Sequence, residues 1–282
     1  MKRFFVVLRW TLTVLGAIAL STVAINATDN LGNLSNSLLG SVVNFNDGNN
    51  SCPDGMSFIT SDTGGFCIDT YEASPGADCP NKNPNNQDET RMDLEAPSCK
   101  AVSVSGALPW RNISQPQAAR ACAASGKRLP SNKEWYQASL GTPDASGNVS
   151  RGDCNVNNDG GGVPNRTGSH PRCVSSFGAF DMIGNVWEWV DASAVEGSLN
   201  GIPLPDEGYV TSIDANGVPI HTDPETPDLN FNADYIWVDR TDVRGVLRGG
   251  YYGNGTDAGN YALNAITPPS FAGIGVGFRC AQ

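Results

Sequence analysis

The longest apolar stretch of this chain comes first. From Trp10 to Ile25 the residues are mostly apolar, with Lys2, Arg3 and Arg9 ahead of them and small residues at Ala24 and Ala27. Residues 1–27 therefore read as an export segment, either a cleaved signal peptide or a retained N-terminal membrane anchor. Residues 28–50, "TDNLGNLSNSLLGSVVNFNDGNN", are Asn, Ser and Gly with few aromatics, a flexible linker that cannot bury enough surface to fold alone. The pattern changes over residues 51–282. "GGFCIDTYEAS" alternates around Phe66, Ile68 and Tyr71 and predicts an early strand. Two helices follow. Ser114 with Gln117 three positions later makes a capping box, Pro116 suits the first turn, and the Ala-rich run stops at Gly126. "PSNKEWYQASLG" repeats that grammar with Ser131, Glu134 and Gly141.

Beyond the second helix, Gly, Asn, Asp and Pro interrupt nearly every apolar run, which suits short strands joined by long ordered loops. "FDMIGNVWEWV", Phe180 to Val190, alternates Trp187 and Trp189 with Glu188 and reads as a half-buried strand after a Gly-Asn turn. Glu188 then lies on the far face or is buried with a cation such as Arg248 or Arg279, because an unpaired buried carboxylate is too costly. Residues 191–241 are acidic and rich in Pro and Gly, and predict an inserted loop or hairpin. The class is α+β, with two short helices and short twisted antiparallel strands.

At 282 residues the chain can bury a substantial core. Its net charge of -11 excludes a phosphate-backbone partner, which needs clustered Lys and Arg, so nucleic acid is not expected as a ligand. His170 and His221 stand in no His-x-x-His or His-Glu-x-x-His setting, which leaves little material for imidazole metal sites or triads. The 8 cysteines include no Cys-x-x-Cys pair and, in an exported chain, read as disulfides. "RGDCNVNNDGGG", from residue 151, fails as an EF-hand, with Asn158 where the loop needs Gly and Pro164 where it needs Glu.

The motifs "GFCIDTYEAS", "GKRLPSNKEWYQAS", "GAFDMIGNVWEWV", "LRGG" and the terminal "GFRC" occur in an order that resembles the formylglycine-generating, sulfatase-modifying factor domain, which has a C-type lectin-like fold. The resemblance spans residues 51–282. It implies a disulfide between Cys122 and Cys280; the remaining cysteines are assigned here as Cys52 with Cys67, Cys79 with Cys99 and Cys154 with Cys173. It also implies structural calcium held by loop oxygens, with Asn155, Asn185 and Glu188 as ligands. Enzymes of the family use two copper-holding cysteines shortly after the Gly-Gly; here Asn254 and Gly259 fall where those thiols are expected, and neither supplies a thiolate. No required cofactor and no catalytic residue are expected.

The final stretch, residues 248–282, resembles a second group, the variable proteins of diversity-generating retroelements, in which adenine-rich Asn codons are randomised on such a scaffold. Those codons never yield Lys, Glu, Gln, Met or Trp, and Tyr251 to Val276 contains none of these. Its composition is that of a paratope, with large low-entropy aromatics beside adaptable polar groups. The expected ligand-binding residues are Tyr251, Tyr252, Gly253, Asn254, Asp257, Asn260 and Tyr261, followed by Asn264, Ile266, Thr267, Phe271, Gly273 and Ile274, on a face that contributes little to the core. The expectation is a secreted or surface-displayed receptor for a protein or glycan on another cell or phage, touching membrane only through its N-terminal segment. The alternatives are a copper-dependent formylglycine-generating oxidase, disfavoured by the missing thiols, and an envelope protein that assembles through this face.

Overall fold

The computed structural model describes residues 51–61, 64–144, 153–158 and 161–282. The export segment at 1–27, the linker at 28–50 and part of the 151–162 loop lie outside the described residues. A small antiparallel pair, β1 (Met56–Ile59) and β2 (Phe66–Asp69), opens the fold, and β3 (Ser74–Pro75) pairs with β4 (Ala101–Val102). Between them, α1 (Gln87–Glu95) starts where the Asn86 side chain accepts from the Glu89 N–H at 2.9 Å. This helix is not among those expected from the sequence.

The two expected helices are α2 (Gln115–Ala124) and α3 (Asn132–Ser139). Gln117 Oε1 accepts from the Ser114 N–H at 3.0 Å, and Glu134 Oε2 accepts from the Ser131 N–H at 2.8 Å, so both boxes satisfy donors that a helix start leaves orphaned. Gly126 and Gly141 follow with φ of 73° and 81°, a left-handed conformation that favours glycine.

The main sheet has 9 strands among the described residues. They are β5 (Trp187–Val195), β6 (Ser198–Leu199), β7 (Ile202–Pro203), β8 (Gly208–Ile213), β9 (Pro219–Asp223), β10 (Tyr235–Val238), β11 (Val243–Arg248), β12 (Leu263–Ala265) and β13 (Val276–Phe278). The order is β7-β6-β5-β11-β12-β10-β8-β9, with β13 also on β5; β10 with β12 and β13 with β5 are parallel, and the other pairs antiparallel. At 191–241, where an inserted loop or hairpin is expected, β6 with β7 and β8 with β9 form antiparallel pairs. That segment carries β6 to β10 and most of β5, because stretches such as Tyr235–Val238 bury one side chain and half-bury its neighbours, which is enough to join a sheet.

Alternation along β5 and β11 divides the interior into two cores. Trp187, Trp189 and Leu247 face one cluster with Trp110, Ile113 and Phe278. Val190 and Val246 face the other with Trp135, Met182 and Ile236. Helix α2 is tied to the sheet by Gln115 Nε2, which donates to the Val190 and Ala192 carbonyls at 2.8 Å each. Gly245 lies under the Trp189 ring, where a Cβ would come within 2.5 Å of it. Disulfides join Cys52–Cys67, Cys79–Cys99, Cys122–Cys280 and Cys154–Cys173, and no cysteine is free. Among the described residues no helix is long and apolar enough to cross a membrane.

Candidate ligand-binding site

The C-terminal segment is bracketed by two rigid anchors. At its start, Gly249 and Gly250 both have φ of 89°, and a Cβ on them would meet the Met182 carbonyl at 2.6 Å and the Ala258 Cβ at 2.4 Å. Only glycine passes there without strain. At its end, the fully buried Arg279 grips Glu188 with two bonds of 2.7 Å, and its remaining donors reach the Asp69 and Phe180 carbonyls at 2.9 and 2.7 Å. Trp135 Nε1 donates to Glu188 Oε2 at 2.7 Å, so Glu188 is the buried, paired carboxylate that its place between two indoles allowed. Asp69 adds a bond from the Cys280 N–H at 2.9 Å and an ion pair with Lys127 at 2.5 Å.

Between these anchors the segment divides. Tyr251, Asn264, Thr267, Phe271, Gly273 and Ile274 come together around a groove of about 350 Å³. Its wall and floor are completed by Trp187 and Leu247 from the sheet and by Gly275 and Val276, none of which had been expected at the site. Phe271 and Ile274 in this lining are 44 and 43% exposed, and Ile266, outside it, is 41% exposed. Asn254 holds the first turn, its Oδ1 accepting from the Tyr251 N–H at 2.9 Å, and Gly253 and Asp257 lie on that half-buried turn.

Three expected residues lie elsewhere, which corrects the reading of the segment as a face that the core does not need. Tyr252 is buried; its N–H donates to the Asn185 carbonyl at 3.1 Å and its carbonyl accepts from Asn158 at 2.6 Å, locking it against the Cys154–Cys173 loop. Asn260 is buried because its N–H donates to Asp144 Oδ2 at 3.2 Å and its carbonyl accepts from the buried Arg248 at 2.8 Å. Tyr261 turns to the opposite core, with its ring 5.4 Å from Phe231 and 6.1 Å from Tyr136. Ala258, Ala262, Leu263 and Ala265 are also buried. A single sequence offers no signal for this division, since the segment's alternation is broken by Gly and by turns.

Gly259, one of the two positions where the resemblance places a thiol, has a specific neighbour. A Cβ there would stand 1.8 Å from Asp234 Oδ1. The Asp234 carboxyl is fully buried and accepts from the Tyr261 N–H at 2.6 Å. Burial first, and the nearby Asp144 second, push it well above the usual carboxylate range. A carboxyl thus fills the space that a side chain at position 259 would take.

Of the residues expected to hold calcium, Asn155 and Asn185 are in direct contact, and Glu188 is engaged by other partners. Asn185 Oδ1 accepts from Asn155 Nδ2 at 3.0 Å and from the Asn165 N–H at 2.7 Å, and both Glu188 oxygens belong to Arg279 and Trp135. Asn155 Oδ1 is buried without a partner. Among the described residues no group of three or more His, Cys, Asp or Glu could hold a metal ion. The same region gathers further buried acids. Asn185 Nδ2 donates to Glu72 Oε2 at 2.6 Å, and Glu72 is raised well above its usual range by burial, then by Asp181 and Glu188. Asp181 is raised to about 6, chiefly by burial.

The fold and its bracketed segment define a disulfide-stapled α+β domain of the C-type lectin-like kind. Within that class the chain belongs to the sulfatase-modifying factor enzyme 1-like domain family, whose pattern matches residues 60–282. Among solved structures it is similar to the I1 variant of the major tropism determinant, at 16% identity and a TM-score of 0.44, over 82% of this chain and 52% of that one. It thus spans about half the length of that protein. It is also similar to PvdO from Pseudomonas aeruginosa, at 17% identity and a TM-score of 0.44 over 80 and 89% of the two chains. Treponema denticola variable protein 1 matches at 14% identity and a TM-score of 0.43 over 80 and 90%. No curated protein matches the sequence.

Proposed function

We propose that this protein is an exported, non-catalytic binding protein whose ligand, a protein or glycan on another cell or phage, is taken at the groove of the C-terminal segment. The observation that carries the reading is the pair of exposed side chains Phe271 and Ile274 on a groove walled by Tyr251 and Trp187. Rigid aromatics give contact area at low entropic cost, and Asn264 and Thr267 add adaptable hydrogen bonding. Non-catalytic action is supported by Asn254 and Gly259 at the expected thiol positions and by the Asp234 carboxyl against Gly259. Export is supported by the four disulfides and by the apolar run behind Lys2, Arg3 and Arg9, which on this reading is either cleaved or kept as an anchor.

Two experiments test the proposal. The full-length chain, immobilised and exposed to displayed random peptides and to neutral oligosaccharides, captures members of one set, and Phe271→Ala abolishes that capture; undiminished capture by the variant would remove the groove from the account. For diversification of the segment, the neighbouring DNA is expected to hold a reverse transcriptase and a near-copy of the final coding stretch that differs only at adenines. DNA lacking both would leave a fixed binding surface.

A further inference from the structure

The groove continues beyond the C-terminal segment. Trp187 in its wall meets the Trp237 ring edge-on at 5.6 Å, Trp237 meets Tyr235 at 4.9 Å, and Tyr235 meets Tyr209 edge-on at 5.1 Å. The strands dictate this row. Tyr235 and Trp237 are two apart on β10, with Ile236 between them turned into the opposite core. Tyr209 on β8 stands directly across from Tyr235, and Asn264 on β12 directly across from Trp237. Tyr209, Tyr235 and Trp237 all keep part of their surface exposed, so a strip of aromatic faces runs outward from the groove.

Two acidic side chains act on the strip at Tyr235. The Tyr235 hydroxyl is held above its ordinary range by burial, then by the Glu207 carboxylate, Tyr209 and the Asp257 carboxylate. Among the described residues neither Glu207 nor Asp257 is in an ion pair, whereas Arg240 and Arg244 are tied to Asp206 at 2.8 Å and to Asp239 at 2.6 Å. The cations in this part of the sequence are therefore neutralised, while Glu207, which immediately precedes β8 where Gly208 pairs with Ile236, and Asp257 carry no ion-pair partner among the described residues.

We infer that groove and strip together take a cationic protein segment, with an apolar side chain between Trp187, Tyr251, Phe271 and Ile274 and a Lys or Arg over Tyr235 and Trp237 against Glu207 and Asp257. A cation on an aromatic face gains from the ring quadrupole and here also from both carboxylates. An anionic glycan is repelled by the same pair. A neutral sugar stacks on the rings without using the charges, so the charge arrangement selects the basic segment. The inference rests on the groove being the binding face and adds the chemistry of the partner.

The test pans a displayed library of short random peptides against the full-length chain, with a neutral glucose oligosaccharide as the second probe. Peptides combining Lys or Arg with a large apolar residue are expected to be enriched, and their affinity to fall as salt rises. The double variant Glu207→Gln, Asp257→Asn is expected to weaken them by about tenfold while the melting temperature stays unchanged. Enrichment without a basic bias, or capture of the oligosaccharide at equal strength by the double variant, overturns the inference. Phe271→Ala separates the two claims: if it abolishes a capture that the double variant leaves intact, the groove stands and the cationic partner falls. If neither variant changes capture, or nothing is captured, both fall.

Discussion

At the scale of single residues, side chains of the C-terminal segment that look alike in sequence have opposite roles. Tyr251 lines the groove, while Tyr252 next to it is buried and tied through its backbone to Asn185 and Asn158. Tyr252→Ala is therefore expected to cost about 3 kcal/mol, as aromatic truncations in a core do, measured by denaturant unfolding; an unchanged midpoint would return Tyr252 to the surface. Gly259→Cys restores one missing thiol position but drives its Cβ into Asp234. A loss of about 1–3 kcal/mol is expected from such overpacking. A variant that stays fully stable with a free, titratable thiol would show the space to be open. Asp181 yields a prediction in pH. Its carboxyl is raised from the ordinary 3.8 to about 6, so the folded state holds a proton that the unfolded state releases. That stability is fully present below about pH 4 and is lost as pH rises through about 6. Asp181→Asn, at a φ of 55° that Asn tolerates, should flatten the fall in melting temperature between those values, and an unaltered slope would assign the proton elsewhere.

At the scale of elements, legibility followed local grammar. Helices α2 and α3 were readable because capping boxes and closing glycines are short-range signals, and β5 because Trp187 and Trp189 alternate with Glu188. The same grammar is present at α1, where Asn86 caps toward Glu89, but its QDETRMDLE sequence offers few apolar residues to draw attention. Strands β6 to β9 read as loop because they are 2 to 6 residues long and are separated by Gly, Pro and Asp turns. Their membership in the sheet is decided by partners far away in sequence, and so is the placement of Trp187 beside Phe271 and of Trp237 beside Trp187. Long-range closure also gives the tail its stability. Cys122 and Cys280 are 158 residues apart, and a loop of that order contributes about 4–5 kcal/mol in the chain-entropy model. Replacing both cysteines with Ala should lower the unfolding free energy by about that amount in denaturant titrations; a loss below about 1 kcal/mol would mean that Arg279 and its partners hold β13 alone.

At the scale of the whole molecule, one sheet separates two duties. The Trp135 and Ile236 side packs under α3, whereas the Trp187 and Leu247 side is core near α2 and opens into the groove and aromatic strip beyond it. The segment 248–282 serves both sides, which is why composition alone marked it as a binding region and could not say which residues face out. The claim that depends on this division is that the groove residues recognise and the framework holds. Its most direct measurement is the thermal unfolding of the Phe271→Ala, Ile274→Ala double variant alongside its capture of displayed peptides. The account predicts a melting temperature within about 2 °C of the parent, as surface truncations allow, together with lost capture. A fall of several degrees, or capture that persists at parental strength, would contradict it.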